Sequence, residues 1–277
     1  MRGEFLDLSG ARLYYYAAGS RGAGVPVVFI HGFPTSSHLW HDVVPFMPPG
    51  HRIVVLDLLG FGRSDRPLDR GVDARAHANR LVEIFDELRI DQACVVGHGF
   101  GGGVAQACAI EHASRVSHLG LVDSVGFDHW PALGRSLTRA ALPVMPLLPP
   151  HVLIGVLHTD LLRGYEHSER AGHAIDLYLR PFDCVEGRDS IAAHLKGIGS
   201  ADNKTLASSL RGIIAPTAIV WGEEDRVMPL NIARKLAAEI PNASLEIISG
   251  VRHFTPTEAP RAVAAAVQRL LSRGVGD

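Results

Sequence analysis

Residues 93–103 read Ala-Cys-Val-Val-Gly-His-Gly-Phe-Gly-Gly-Gly. The apolar run Ala93 to Val96 is a buried strand, and a helical pattern opens at Phe100. So sharp a strand-to-helix turn is the Gly-x-nucleophile-x-Gly pattern, with Gly97 and Gly101 as its framing glycines. Its middle residue is held at strained, positive-φ geometry and presents its side chain to a pocket. Ser, Asp or Cys is expected there. This chain has Gly99, which adopts that geometry without steric penalty but offers no attacking atom.

Around this turn, apolar runs alternate with helical patterns. Strands are expected at Val25 to Ile30, Arg52 to Leu56, Ala93 to Val96, Val116 to Val122, Pro216 to Trp221 and Ser244 to Ile248. Helices are expected near Ser36 to Phe46, Asp73 to Leu88, Phe100 to Glu111, Asn231 to Ala238 and Thr257 to Ser272. Strands that are apolar throughout fit a parallel sheet covered on both faces, and the alternation itself argues α/β. Phe5 to Ala17 reads as an antiparallel lead-in pair around Ser9-Gly10. Between about Gly126 and Ser209 the alternation stops, and a segment rich in Leu, Pro and His takes over. It reads as a helical cap, residues 126–209, inserted between core parts 1–125 and 210–277. A cap over the carboxyl ends of parallel strands would enclose a pocket.

A chain of 277 residues can bury a large core. Its net charge of −2 gives no pull toward nucleic acid or an anionic membrane. Neither a signal-peptide core nor a run of the roughly 20 apolar residues needed to span a bilayer is visible, so a cytoplasmic protein is expected. The three cysteines, Cys94, Cys108 and Cys184, suit a reducing compartment. The 15 histidines are scattered without metal-ligand spacing, so neither a metal nor an organic cofactor is expected. The expected partner is a small-molecule substrate, and the chain is expected to be a monomer or homodimer.

Four pieces at strand ends carry chemistry. His31-Gly32-Phe33-Pro34 follows the first parallel strand; the amides of Phe33 and Phe100 are the candidate oxyanion donors. Gly99 is the middle of the turn. Asp225, in Trp221-Gly222-Glu223-Glu224-Asp225, is placed to orient a histidine, with Glu223 and Glu224 as rivals. His253 follows the last strand, 28 residues after Asp225, and is the candidate base. The order nucleophile position, acid, histidine matches a known arrangement.

Together these motifs identify the chain as resembling the α/β-hydrolase superfamily from about Phe5 to Leu271. The resemblance implies an eight-stranded, mostly parallel sheet with helices on both faces and a helical cap between the sixth and seventh strands. His31 to Pro34, the run Asp57 to Asp65 and the glycine-framed turn look most like the epoxide hydrolase and haloalkane dehalogenase branch, which carries an aspartate at the position of Gly99. The resemblance carries Asp225 and His253 over as acid and base. Some relatives place the acid where Asp123 stands. Phe100 stands where dehalogenases usually hold a tryptophan, and a phenyl ring has no N–H for a halide. Epoxide hydrolases use cap tyrosines, and this cap has Tyr165 and Tyr178.

The expected function is that of a hydrolase-type enzyme on a small, mostly apolar ester, lactone, epoxide or haloalkane, with a His–Asp pair activating water. Substrate-binding candidates are His31, His98, Trp130, Tyr165 and Tyr178, with Phe182 a further candidate for pocket lining. Other readings stay open on the residues alone: a lyase, cyclase or isomerase using the same base, a ligand-binding protein, or a laboratory replacement of Asp or Ser by Gly99.

Overall fold

A computed structural model describes residues 3–19, 24–67, 69–127, 143–198 and 202–274. Its sheet has eight strands: β1 (Gly3–Leu8), β2 (Ala11–Ala18), β3 (Val27–Ile30), β4 (Ile53–Leu56), β5 (Ala93–His98), β6 (Val116–Val122), β7 (Thr217–Gly222) and β8 (Ala243–Ile248). Their spatial order is β1-β2-β4-β3-β5-β6-β7-β8. β1 and β2 pair antiparallel, and β2 runs antiparallel to β4; every later pairing is parallel. The central strands β3 to β7 are buried along their whole length, as their unbroken apolar runs require.

Helices cover both faces of this sheet: α1 (Ala74–Glu87), α2 (Phe100–Glu111), α7 (Leu230–Glu239), α8 (Thr255–Glu258) and α9 (Pro260–Leu271). Between β6 and β7 lie α3 (Pro150–Leu162), α4 (Ser168–Leu179), α5 (Val185–Ile198) and α6 (Asp202–Ser209). This helical segment packs on loops at the carboxyl ends of the strands. Ser190 Oγ donates to the Gly60 carbonyl at 2.9 Å, and Arg66 donates to the Pro181 carbonyl at 2.9 Å. No described helix is long and apolar enough to cross a membrane.

Several element boundaries depart from expectation, among them three at prolines. The stretch Ser36 to Phe46 is two short 3-10 turns, Ser37–Trp40 and Val44–Phe46, because Pro45 cannot continue a hydrogen-bonded helix. Pro260 opens α9 and divides the last helical stretch in two. Pro26 has no N–H for the ladder, and β3 begins one residue after it.

Parallel pairing aligns the strand ends that build the site. Ile30 pairs with Gly97, His98 with Val122, and Gly222 with Ile248. His31, Gly99 and Asp123 therefore leave the sheet side by side, with the Asp225 and His253 loops beyond them.

Candidate active site

Gly99 has φ +53° and ψ −120° and is the N-cap of α2. The glycines around it are dictated by close approach. A Cβ on Gly97 would enter the Gly101 carbonyl, and one on Gly101 would enter the carbonyls of Ile30 and His31. Gly99 differs. Among the described residues, a Cβ there would meet only Gly32 Cα at 3.6 Å and His253 Nε2 at 3.8 Å, both ordinary contacts. The turn therefore keeps room for a side chain directed at the imidazole, although it carries none.

His253 Nδ1 lies 2.8 Å from Asp225 Oδ2. The other carboxylate oxygen, Oδ1, accepts from the Val227 and Met228 amides at 2.7 and 2.8 Å, which locks the carboxylate in place. With Nδ1–H donated to Asp225, a neutral His253 keeps its lone pair on Nε2, the atom facing Gly99. Burial lowers the pKa of His253, but Asp225 raises it by charge and hydrogen bond, and Asp123 and Asp160 add to that; the balance lies above the ordinary value. Glu223 and Glu224 are exposed and stand apart from this pair.

Asp123 occupies another place. It is fully buried, and its oxygens accept from the Gly222 amide at 2.9 Å and the Thr255 amide at 3.2 Å. It thereby ties the loop of Asp225 to the loop of His253. Burial pushes its pKa well up, and the charge of Asp225 pushes the same way. It sits 3.9 Å from His98 Nε2, and it is Asp225 that bonds the His253 ring.

The helical segment also holds the His253 loop. The Gly164 carbonyl accepts from the His253 amide at 2.9 Å and the Phe254 amide at 3.3 Å. Arg252 donates to the Tyr165 carbonyl at 2.9 Å, and Glu258 accepts from the Glu166 and His167 amides, both at 2.9 Å. Sequence reasoning missed Gly164 and Glu258; neither belongs to a motif, and a carbonyl contact leaves no compositional signal.

The amides of Phe33 and Phe100 flank the turn, and neither donates to another described backbone group. Phe33 precedes a cis peptide bond to Pro34.

Several expected substrate contacts are corrected. His31 is fully buried, with Nδ1 bonded to the Gly32 carbonyl at 2.8 Å and Nε2 accepting from the Leu58 amide at 3.0 Å. Both nitrogens are spent on shaping the loop. His98 is buried and donates Nε2–H to the His253 carbonyl at 2.9 Å, so it braces the His253 loop. Tyr165 stacks on Phe254 at 4.3 Å, and Tyr178 meets His38 edge-on. Their buried hydroxyls gather beside Thr257 Oγ1, none in a well-formed hydrogen bond. These described contacts are packing between the helical segment and the core. Phe182 packs against Phe61 at 5.9 Å. Trp130 lies outside the described residues.

Known proteins resemble this chain along its length. The model of a family described as "alpha/beta hydrolase fold" matches residues 25–260. Haloalkane dehalogenase 2 of Mycobacterium tuberculosis (strain ATCC 25618 / H37Rv) is 30% identical over 277 residues, covering 95% of this chain and 93% of that protein. The 2-hydroxymuconate semialdehyde hydrolase of Pseudomonas sp. (strain CF600) is 29% identical, covering 91% and 88%. A crystal structure of an alpha/beta hydrolase fold protein from Burkholderia ambifaria superposes with a TM-score of 0.85 at 25% identity, covering 97% of this chain and all of that one.

Proposed function

Because the chain belongs to the α/β-hydrolase family, we propose that it is a hydrolase whose attacking group is a water held between Gly99 and His253. The substrate class is a small, mostly apolar ester or lactone. One observation carries this reading. Among the described residues, the direction a side chain would take at Gly99 is open and faces His253 Nε2 at 3.8 Å, while Asp225 holds the opposite ring nitrogen at 2.8 Å.

Neutral His253 takes a proton from the water as its oxygen attacks the carbonyl carbon. The amides of Phe33 and Phe100 donate to the oxyanion that forms, and as fixed backbone donors they need no reorganisation. The tetrahedral species collapses, the carbon–alkoxide bond breaks, and the imidazolium returns its proton to the alkoxide. The products are an acid and an alcohol. A positioned general base contributes about 10²- to 10⁴-fold. An acyl substrate is favoured because the amides supply donors for an oxyanion. Phe100 offers no side-chain N–H to a leaving halide, and the described contacts of the Tyr165 and Tyr178 rings lie with Phe254 and His38.

The test is a single turnover of a panel of esters and lactones in heavy-oxygen water, beside His253→Ala. One label in the product acid, none in the protein, and loss of turnover in the variant support the reading. Label in the protein, or turnover indifferent to His253, overturns it.

A further inference from the structure

The space beside Gly99 combines three features that favour a small anion. The first is room: within 4 Å of where a Cβ would stand, apart from chain neighbours, the only atoms among the described residues are Gly32 Cα and His253 Nε2. The second is the start of α2, a helix of 12 residues whose positive end and first amides open at Gly99. The third is independent of the helix. The His253 side chain is only 8% exposed, and its Nε2 faces this space without a hydrogen-bond partner among the described residues.

The charged groups around that ring are already engaged. Asp225 binds the far nitrogen and two amides, and Asp123 binds the Gly222 and Thr255 amides. Asp160, half exposed, pairs with Arg163 at 3.8 Å. On the base loop itself, Arg252 pairs with Glu166, and Glu258 is held by the amides of Glu166, His167 and Arg252. His98, with its ring 4.8 Å from that of His253, has its pKa lowered well below the ordinary value by burial and by His253. Asp225, Asp123 and Asp160 are the described carboxylates whose charge acts on the imidazole.

We propose that this space binds a carboxylate of one or two carbons, formate or acetate, which replaces water as the attacking group. The proposal shares its acyl substrate and its imidazole with the reading above. A formate oxygen adds to the ester carbonyl carbon, and the oxyanion is held by the Phe33 and Phe100 amides. The carbon–alkoxide bond then breaks, and the alkoxide takes the proton from protonated His253, leaving a mixed formic anhydride and the alcohol. Neutral His253 next activates a water that adds to the formyl carbon. The bridging oxygen departs with the acyl group, so acid and formate are released, and an oxygen that began in formate ends in the acid.

The two routes have opposite pH dependence. Water attack needs the neutral ring and grows as pH rises through the raised pKa of His253; carboxylate binding needs the protonated ring and fades over the same interval.

The experiment uses the full chain, sodium formate against sodium chloride at equal ionic strength, and p-nitrophenyl butyrate as the acyl probe. Saturable shifts are expected at the Phe100 amide and the His253 ring nitrogens with formate, weaker ones with acetate and none with benzoate. They should vanish in Gly99→Asp, whose own carboxylate fills the space. Nitrophenolate release should rise with formate and saturate, most strongly on the acid side, and oxygen-18 formate should label the butyrate. Equal shifts with chloride or benzoate overturn the site; formate shifts without label in butyrate overturn the attacking role. If Gly99→Asp does not fold, the size series in the native chain decides alone. Ester turnover that ignores formate removes this proposal and leaves the water reading, whereas turnover seen only with formate removes the water reading and leaves this one.

Discussion

His77 Nε2 of α1 and His194 Nε2 of α5 lie 3.4 Å apart, both rings fully enclosed, and join the sheet-flanking layer to the helical segment above it. His194 Nδ1 lies 2.9 Å from the Ser190 carbonyl, an acceptor only, so this nitrogen carries the proton and Nε2 is left to accept. His77 is then the donor. Its ring also meets Phe100 edge-on at 5.7 Å, beside the proposed oxyanion amide.

Acid should loosen this joint. Burial lowers the pKa of His194 to about 4, and burial with the neighbouring His194 lowers that of His77 further below its ordinary value. The unfolded chain therefore binds protons at about pH 6.5 that the folded pair refuses. Stability from the pair is complete above about pH 6.5 and is lost as pH falls toward about 4. His31, His38 and His98, also lowered by burial, act in the same direction. Urea unfolding between pH 7 and 4 should show this loss, with a shallower slope in His194→Gln.

Asp225→Asn should lower kcat/KM for any hydrolysed ester by about 10²- to 10⁴-fold. The imidazole would lose the charge that holds its pKa up. The residual activity should reach half its maximum at a lower pH than in the native chain, which a pH–rate profile checks. A drop in rate with an unmoved midpoint would contradict this account.

Asp123→Ala should unfold more easily without touching the His253–Asp225 bond directly. The Gly222 and Thr255 amides would lose their acceptor inside the protein, at a cost of about 1–3 kcal/mol for each donor left unsatisfied. Asp123→Asn keeps one acceptor oxygen and should lose less. Denaturant midpoints of the two variants give the ranking.

Gly99→Ala and Gly101→Ala should differ sharply. At Gly99 the added methyl has room, and the cost is that of an alanine at φ +53°, about 1–3 kcal/mol. At Gly101 the methyl would enter backbone carbonyls at the core of the sheet, which cannot move aside cheaply. Thermal unfolding should find Gly99→Ala folded with a lower midpoint and Gly101→Ala much weaker or insoluble.

Local chemistry made much of this molecule legible in the sequence. Apolar runs too short and too continuous for surface helices marked β3 to β7, because a strand buried on both faces has no polar side to show. Glycine at 97 and 101 marked the turn, because a Cβ at either position would enter backbone carbonyls, and Gly99 between them sits at φ +53°. The order of turn, Asp225 and His253 predicted which side chains meet, and they do so at 2.8 Å. Tertiary structure alone decided the rest. His31 and His98 looked like pocket residues until the paths of neighbouring loops showed both His31 nitrogens and the His98 Nε2 bonded to backbone. That Gly164 holds the His253 loop by a carbonyl, that Asp123 ties the Asp225 and His253 loops, and that His77 meets His194 across 117 positions depends on where distant segments pack. A sequence states which groups a chain can offer; which of them face one another is set by the close packing of the folded chain.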